Sequence, residues 1–201
     1  MRERDVLWIL DALEGAGVPC VIGGGWGVDA LVGHQTRRHH DLDLVLLEFE
    51  RDEPQARSAL VPLGFRQVLR WHASTRWMPS RSVMDDGAGR CIDLVNLEAA
   101  QLATMLGQGE PVGVPPSDDG HSSLFVSGIV GGRLVVCLSA EAQLLLHTRF
   151  DLRTHHKRDA NLLRNTLGAK PARRANLVGV RDRRDSRAED AATTEPARPS
   201  P

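Results

Sequence analysis

Asp41 and Asp43 stand two apart in the run Asp41-Leu42-Asp43-Leu44-Val45-Leu46-Leu47. In an extended strand, alternate side chains leave the same face about 7 Å apart at the backbone. The two carboxylates can therefore converge on shared cations while Leu42 and Leu44 anchor the opposite face. Like charges held side by side repel, and an acid at a strand start is often merely solvated, so a second feature has to favour a site. Gly24-Gly25, placed just after the apolar Cys20-Val21-Ile22, is that feature. Residues without a Cβ let backbone N–H groups approach phosphate oxygens, and a helix beginning there adds positive potential. Amides for phosphates and carboxylates for cations are the two halves of a site for a metal-bound nucleoside triphosphate.

A third acid lies on Arg90-Cys91-Ile92-Asp93-Leu94-Val95. Asp93 sits among apolar neighbours and could reach the same site from an adjacent strand, where burial beside other carboxylates raises its proton affinity. It is a candidate general base for an acceptor hydroxyl, or else a third metal ligand. Arg37 and His39 precede the acid pair closely enough to touch phosphates or to orient a carboxylate, although a solvated turn would also explain them. Lys157 could bring positive charge to the triphosphate from a C-terminal helix, or simply be solvated. Trp26, Trp71 and Trp77 offer flat apolar faces for an acceptor pocket, against the alternative of ordinary core packing.

The elements that must hold these groups can be read from periodicity. Val6, Ile9, Leu10 and Leu13 have helical spacing and end at Gly15 and Gly17. A strand over 19–22, the glycine turn and a helix over 26–32 follow, then a strand over 41–47 beside the first. A helix is expected over 53–63, with β segments over 65–72, 76–84 and 90–97. Residues 107–119, rich in Gly, Pro and Asp, read as an exposed loop. Strands over 124–130 and 133–138 flank Gly131-Gly132 as a hairpin. Ser139 caps a helix carrying Leu144, Leu145, Phe150 and Leu152, and another helix covers 158–167. The fold class is α/β (α+β): a mixed sheet flanked by helices, with a C-terminal helical segment. One domain over 1–168, its C-terminal helices at about 139–167, is followed by a tail over 169–201 too poor in bulky apolar residues to offset chain entropy, which is expected to be disordered.

Composition narrows the classes. The 201 residues contain 25 Lys+Arg against 26 Asp+Glu, a formal net charge of -1, so no global field favours a polyanion and no nucleic-acid partner is expected. No apolar run has signal-peptide or membrane length, so a cytoplasmic protein without a membrane partner is expected, as monomer or homodimer. Cys20, Cys91 and Cys137 form no CxxC spacing and read as buried thiols.

Gly24-Gly25-Trp26-Gly27-Val28-Asp29-Ala30-Leu31, Thr36-Arg37, His39 and Asp41-Leu42-Asp43 resemble the antibiotic nucleotidyltransferases of the polymerase-beta-like superfamily, aminoglycoside 2''-adenylyltransferases among them. The similarity is closer to lincosamide nucleotidyltransferases, because Trp77-Met78-Pro79-Ser80-Arg81, the Asp93 strand, Glu141-Ala142-Gln143-Leu144-Leu145 and Phe150-Asp151-Leu152 recur in order over roughly residues 5–167. The resemblance implies the polymerase-beta-like fold and an Mg2+-dependent transfer of a nucleoside monophosphate, AMP from ATP, to a hydroxyl of a small antibiotic. It places Mg2+, two ions, on Asp41 and Asp43 and matches Asp93 to the family's third acid; Asp159 matches as well. Two positions depart from the pattern: Val95 stands where the lincosamide enzymes have His, and His155-His156 where they have Lys-Asp.

Rival readings predict different behaviour. His39-His40-Asp41 with His155-His156 could serve a metal phosphohydrolase, which would release phosphate without an acceptor. An enzyme that nucleotidylates a protein or RNA, of toxin-antitoxin type, would share the same core. A nucleotide-binding regulator without turnover would keep the pocket alone.

Overall fold

The computed structural model describes residues 1–71, 80–97, 124–149 and 154–168. Helix α1 (Glu3–Gly15) opens the chain, with the Arg2 amide donating to the Asp5 carboxylate at 2.8 Å. It leads to the short strand β1 (Val21–Ile22) and then directly into α2 (Gly24–Val32). Strand β2 (Asp41–Leu46) and helix α3 (Phe49–Leu60) follow. Strands β3 (Arg66–Trp71), β4 (Arg81–Asp85) and β5 (Cys91–Asn96) build one side of the sheet. The hairpin β6 (Phe125–Val130) and β7 (Arg133–Leu138) builds the other, before α4 (Ala140–Arg149) and α5 (Thr154–Leu167).

Among the described residues the strands form one mixed sheet in the order β3-β4-β5-β2-β1-β7-β6. β2 pairs with β5 in parallel and with β1 antiparallel, and β1 pairs with β7 in parallel. β1 therefore ends at the same edge of the sheet at which β2 and β5 begin. The glycines and the acids are brought to that edge by topology alone.

One face of the central strands is a continuous apolar layer. Leu42, Leu44, Leu46, Ile92 and Leu94 pack with Val6, Ile9 and Leu13 of α1 and with Phe49, Ala56 and Leu60 of α3. On the other face Val45 joins Leu138 and Ala142, and α2, α4 and α5 meet through Val28, Leu144, Ala160 and Leu163. Ser139 caps α4 as its residue type predicts, accepting from the Ala142 amide at 3.3 Å. Gly131 and Gly132 turn the hairpin with φ of 54° and 82°, the left-handed pair that a two-residue turn requires.

Several expected boundaries move. The strand over 19–22 shortens to its last two residues, and the helix over 26–32 begins earlier, so Gly24 and Gly25 form its first turn. The helix over 53–63 starts at Phe49 and ends in a 3-10 turn, Val61–Leu63. The final helix begins at Thr154, four residues before the expected start. Of the three thiols, Cys137 is buried, but Cys20 and Cys91 are only half-buried, because each lies at the margin of its strand. The expected loop over 107–119, Trp77, Phe150 to Leu152 and the tail over 169–201 lie outside the described residues. Among the described residues no helix is long and apolar enough to cross a membrane.

Candidate active site

The site begins where β1 runs into α2. The Gly23 amide donates to the Asp43 carbonyl at 2.9 Å, so the turn is tied to the neighbouring strand at its acid. Gly24 has φ +56°, and a Cβ there would lie 1.8 Å from Asp43 Oδ2. The Asp43 carboxylate thus rests on the Gly24 backbone in space that any side chain would fill. Gly25 is bare for the same reason. A Cβ on it would come within 2.4 Å of Arg37 Nη2 and 2.6 Å of His39 Nδ1.

The parallel register of β2 and β5 sets Asp43 directly beside Asp93, and Asp41 beside Cys91. Asp41 is exposed at the start of β2, whereas Asp93 is buried. Burial first, then the charges of Asp41 and Asp93, pushes the Asp43 carboxyl up to about 7. Burial also raises Asp93, against an opposing ion pair with Arg81. Arg81, half-exposed on β4, donates through Nε to Asp93 Oδ1 at 2.5 Å and closes a second contact through Nη2. Among the described residues no three acid, histidine or cysteine side chains converge as a ready-made metal cage. Asp41 and Asp43 nonetheless fit a divalent cation: they are hard oxygen donors on one strand face, and a cation would offset both the burial and the neighbouring negative charge that raise the proton affinity of Asp43.

Arg37 and His39 are not a solvated turn. His39 is buried, its Nε2 2.5 Å from Asp29 Oδ2, its ring 4.7 Å from that of Trp26, and its Nδ1 has no partner. Thr36 donates to the other Asp29 oxygen at 2.5 Å. His39 therefore orients a carboxylate, but that carboxylate is Asp29 of α2 and not one of the strand acids. Arg37 donates Nε and Nη2 to the two oxygens of Asp159, at 3.1 and 2.7 Å. Burial lowers the proton affinity of Arg37, but the hydrogen bond and charge of Asp159 outweigh it.

Lys157 is exposed, two residues before the buried Asp159 and hence about 200° around α5 from it, and among the described residues nothing ties it to the site. Trp26 is a core residue at 1% exposure, packed as ordinary core, whereas Trp71 is exposed on β3. Asp29, Arg81 and Asp159 are the site-side residues that pattern reading did not assign a role. Asp29 could have been suspected as the one acid among Trp26, Val28, Ala30 and Leu31.

The family model described as aminoglycoside-2''-adenylyltransferase matches residues 5–163, which include every element of this site. The chain belongs to that family. It is 31% identical to a lincosamide resistance protein of Staphylococcus haemolyticus over 155 residues, 76% of this chain and 88% of that protein. The crystal structure of the lincosamide antibiotic adenylyltransferase LnuA with lincomycin bound superposes with a TM-score of 0.56 at 28% identity, covering 82% of this chain and 97% of that one. The solution structure of the antibiotic-resistance factor ANT(2'')-Ia is similar in fold, with a TM-score of 0.58 at 23% identity over 81% and 82% of the two chains. The mixed sheet and its helices are thus the polymerase-beta-like nucleotidyltransferase fold, and the protein is a nucleotidyltransferase.

Proposed function

We propose that the protein moves a nucleoside monophosphate, AMP from ATP, to a hydroxyl of a small antibiotic, a lincosamide in the first instance. The observation that carries this reading is the Asp43–Asp93 register pair set against the bare Gly24 turn, in a chain whose likeness to a lincosamide resistance protein spans most of both sequences. Asp41 and Asp43 would hold Mg2+, which when bound supplies charge neutralisation for the triphosphate and lowers the cost of forming the attacking alkoxide. Gly24 and Gly25 make room for Asp43 and for Arg37 and His39, and so set a carboxylate and a guanidinium beside the N-terminus of α2, which favours phosphate oxygens. The acceptor oxygen forms a bond to the α-phosphorus, the bond to the β-phosphate oxygen breaks, and pyrophosphate leaves. Asp93, raised by burial, takes the acceptor proton on its carboxylate; Arg81 orients that carboxylate and keeps its basicity from rising further.

An aminoglycoside acceptor is the second reading. It is favoured by the family model itself and by a 44% identical stretch of 48 residues, 27% of its length, in a 2''-aminoglycoside nucleotidyltransferase of Escherichia coli. The deciding experiment incubates the purified protein with Mg2+, each NTP in turn, and panels of lincosamides and aminoglycosides, and reads acceptor mass. A gain of one nucleoside monophosphate on a lincosamide, with one pyrophosphate released, is expected. A gain on aminoglycosides alone reassigns the acceptor, and no gain on any member of either panel overturns the proposal.

A further inference from the structure

Arg37 and Asp159 lie 122 residues apart in sequence and meet through a side-on, two-point contact that uses Nε and Nη2 of the guanidinium. Asp159 is 2% exposed and Arg37 18%. An ion pair this enclosed gives up hydration at both ends, so it is a weak device for stability on its own. It is a strong device for fixing direction, since a planar guanidinium held along one edge cannot rotate.

The direction is informative. With Nε and one N–H of Nη2 committed to Asp159, the remaining N–H groups form the end of the fork, where Nη1 has only a long contact of 3.4 Å to the Arg38 carbonyl. Nη2 lies 2.4 Å from the point where Gly25 would carry a Cβ, so the guanidinium sits over the first turn of α2. His39 Nδ1, in a residue 1% exposed and without a hydrogen-bond partner, borders the same point. The positive charge of Arg37 is also felt at Asp41 and Asp43. A cation aimed across bare helix-start amides, next to two carboxylates suited to a metal, is placed for an anion that arrives with the metal.

We infer that Asp159 is a positioning residue: from α5 it holds the Arg37 guanidinium over Gly25 so that the free end of the fork binds the triphosphate oxygens of the nucleotide. The helix α5 is then part of the nucleotide site although it contributes no direct ligand from this position. The inference rests on the triphosphate chemistry proposed above and names the device that recognises it.

The test is calorimetric titration of the full chain with Mg2+-tripolyphosphate and, separately, with adenosine, for wild type, Asp159→Asn, Arg37→Lys, the Asp159→Asn/Arg37→Lys double variant, and the charge swap Arg37→Asp/Asp159→Arg. Asp159→Asn is expected to weaken tripolyphosphate binding roughly tenfold, the loss of one charge-assisted contact, and to leave adenosine within about twofold. The double variant should be no weaker than Arg37→Lys alone, because Asp159 acts only through the arginine. The swap should regain thermal stability but not tripolyphosphate affinity. Wild-type affinity in folded Asp159→Asn, additive losses in the double variant, or a swap that regains affinity together with stability would each overturn the inference. If Asp159→Asn does not fold, Arg37→Lys against the swap decides alone. A wild-type chain that binds no tripolyphosphate or NTP removes the proposed function itself, an outcome distinct from a wild type that binds and an Asp159→Asn variant that binds equally well.

Discussion

The two faces of β2 are built from six consecutive residues and have opposite physics. Leu42, Leu44 and Leu46 are fully buried beneath α1 and α3. One residue along, Asp41 and Asp43 face the glycine turn and Asp93, where desolvation and like charges both penalise the ionised Asp43. Because the side-chain period of a strand is two, a slip of one residue would exchange the faces entirely. The leucine face therefore fixes the register that the acid face needs, and the acid face is electrostatically costly only because the leucine face holds it in place. The contrast assigns stability to one set of side chains and chemistry to the other.

Replacing an acid should break the comparison most sharply. Asp43→Asn or Asp41→Asn is expected to reduce turnover by about three orders of magnitude, several kcal/mol of lost transition-state stabilisation, with far-UV circular dichroism unchanged. Turnover near that of wild type in either variant would remove the acid face from the chemistry. Leu44→Ala attacks the other face: urea denaturation should show a loss of about 3 kcal/mol, while kcat measured on the folded fraction stays within a few-fold of wild type. A variant that kept its stability and lost its activity would show that the two faces are not separable.

Gly24→Ala is the next step down, since it leaves both faces intact and disturbs only what rests on them. Its methyl group would lie 1.8 Å from Asp43 Oδ2 and its φ of +56° is unfavourable for alanine. Displacing the Asp43 carboxylate, the proposed cation ligand, is expected to cost tens-fold in kcat, with a stability loss of about 1 kcal/mol. Equal turnover in Gly24→Ala and wild type would mean that the carboxylate does not need its place against the glycine.

How much of this was visible in sequence follows from the range of the interactions. The strand Asp41–Leu46 and the hairpin around Gly131-Gly132 announce themselves by alternation and by a glycine pair, both short-range signals. The start of α3 does not, because Pro54 and a cluster of charges break its apolar periodicity and only the burial of Phe49, Ala56 and Leu60 reveals the helix. The acid pair and the glycine turn were legible because each is compact, and Asp93 because an acid between Ile92 and Leu94 is conspicuous. What Arg37 and His39 hold was not legible. His39 meets an acid ten residues back on α2, and Arg37 one 122 residues ahead on α5. No local period encodes such partners, and the same is true of the contact between Arg81 and Asp93 across two antiparallel strands.

The smallest effect expected from the comparison concerns stability and pH. Asp43 binds its proton in the folded chain up to about 7, against 3.8 ordinarily. In the metal-free protein the folded form therefore carries a proton that the unfolded form has already lost between these values. Stability from this group is fully present below the unfolded value and is lost as pH rises through the folded one. Asn at position 43 mimics the protonated side chain and has nothing to lose. In chelator, Asp43→Asn should melt above wild type at pH 8, by a smaller margin at pH 5, and level with it only below about pH 4. Adding Mg2+ at pH 8 should raise the melting temperature of wild type and leave that of the variant nearly unchanged, since the cation relieves the repulsion that the substitution has already removed. Identical melting curves for the two proteins at pH 8 in chelator would mean that Asp43 is not under electrostatic load, and the acid face would then be as relaxed as the leucine face behind it.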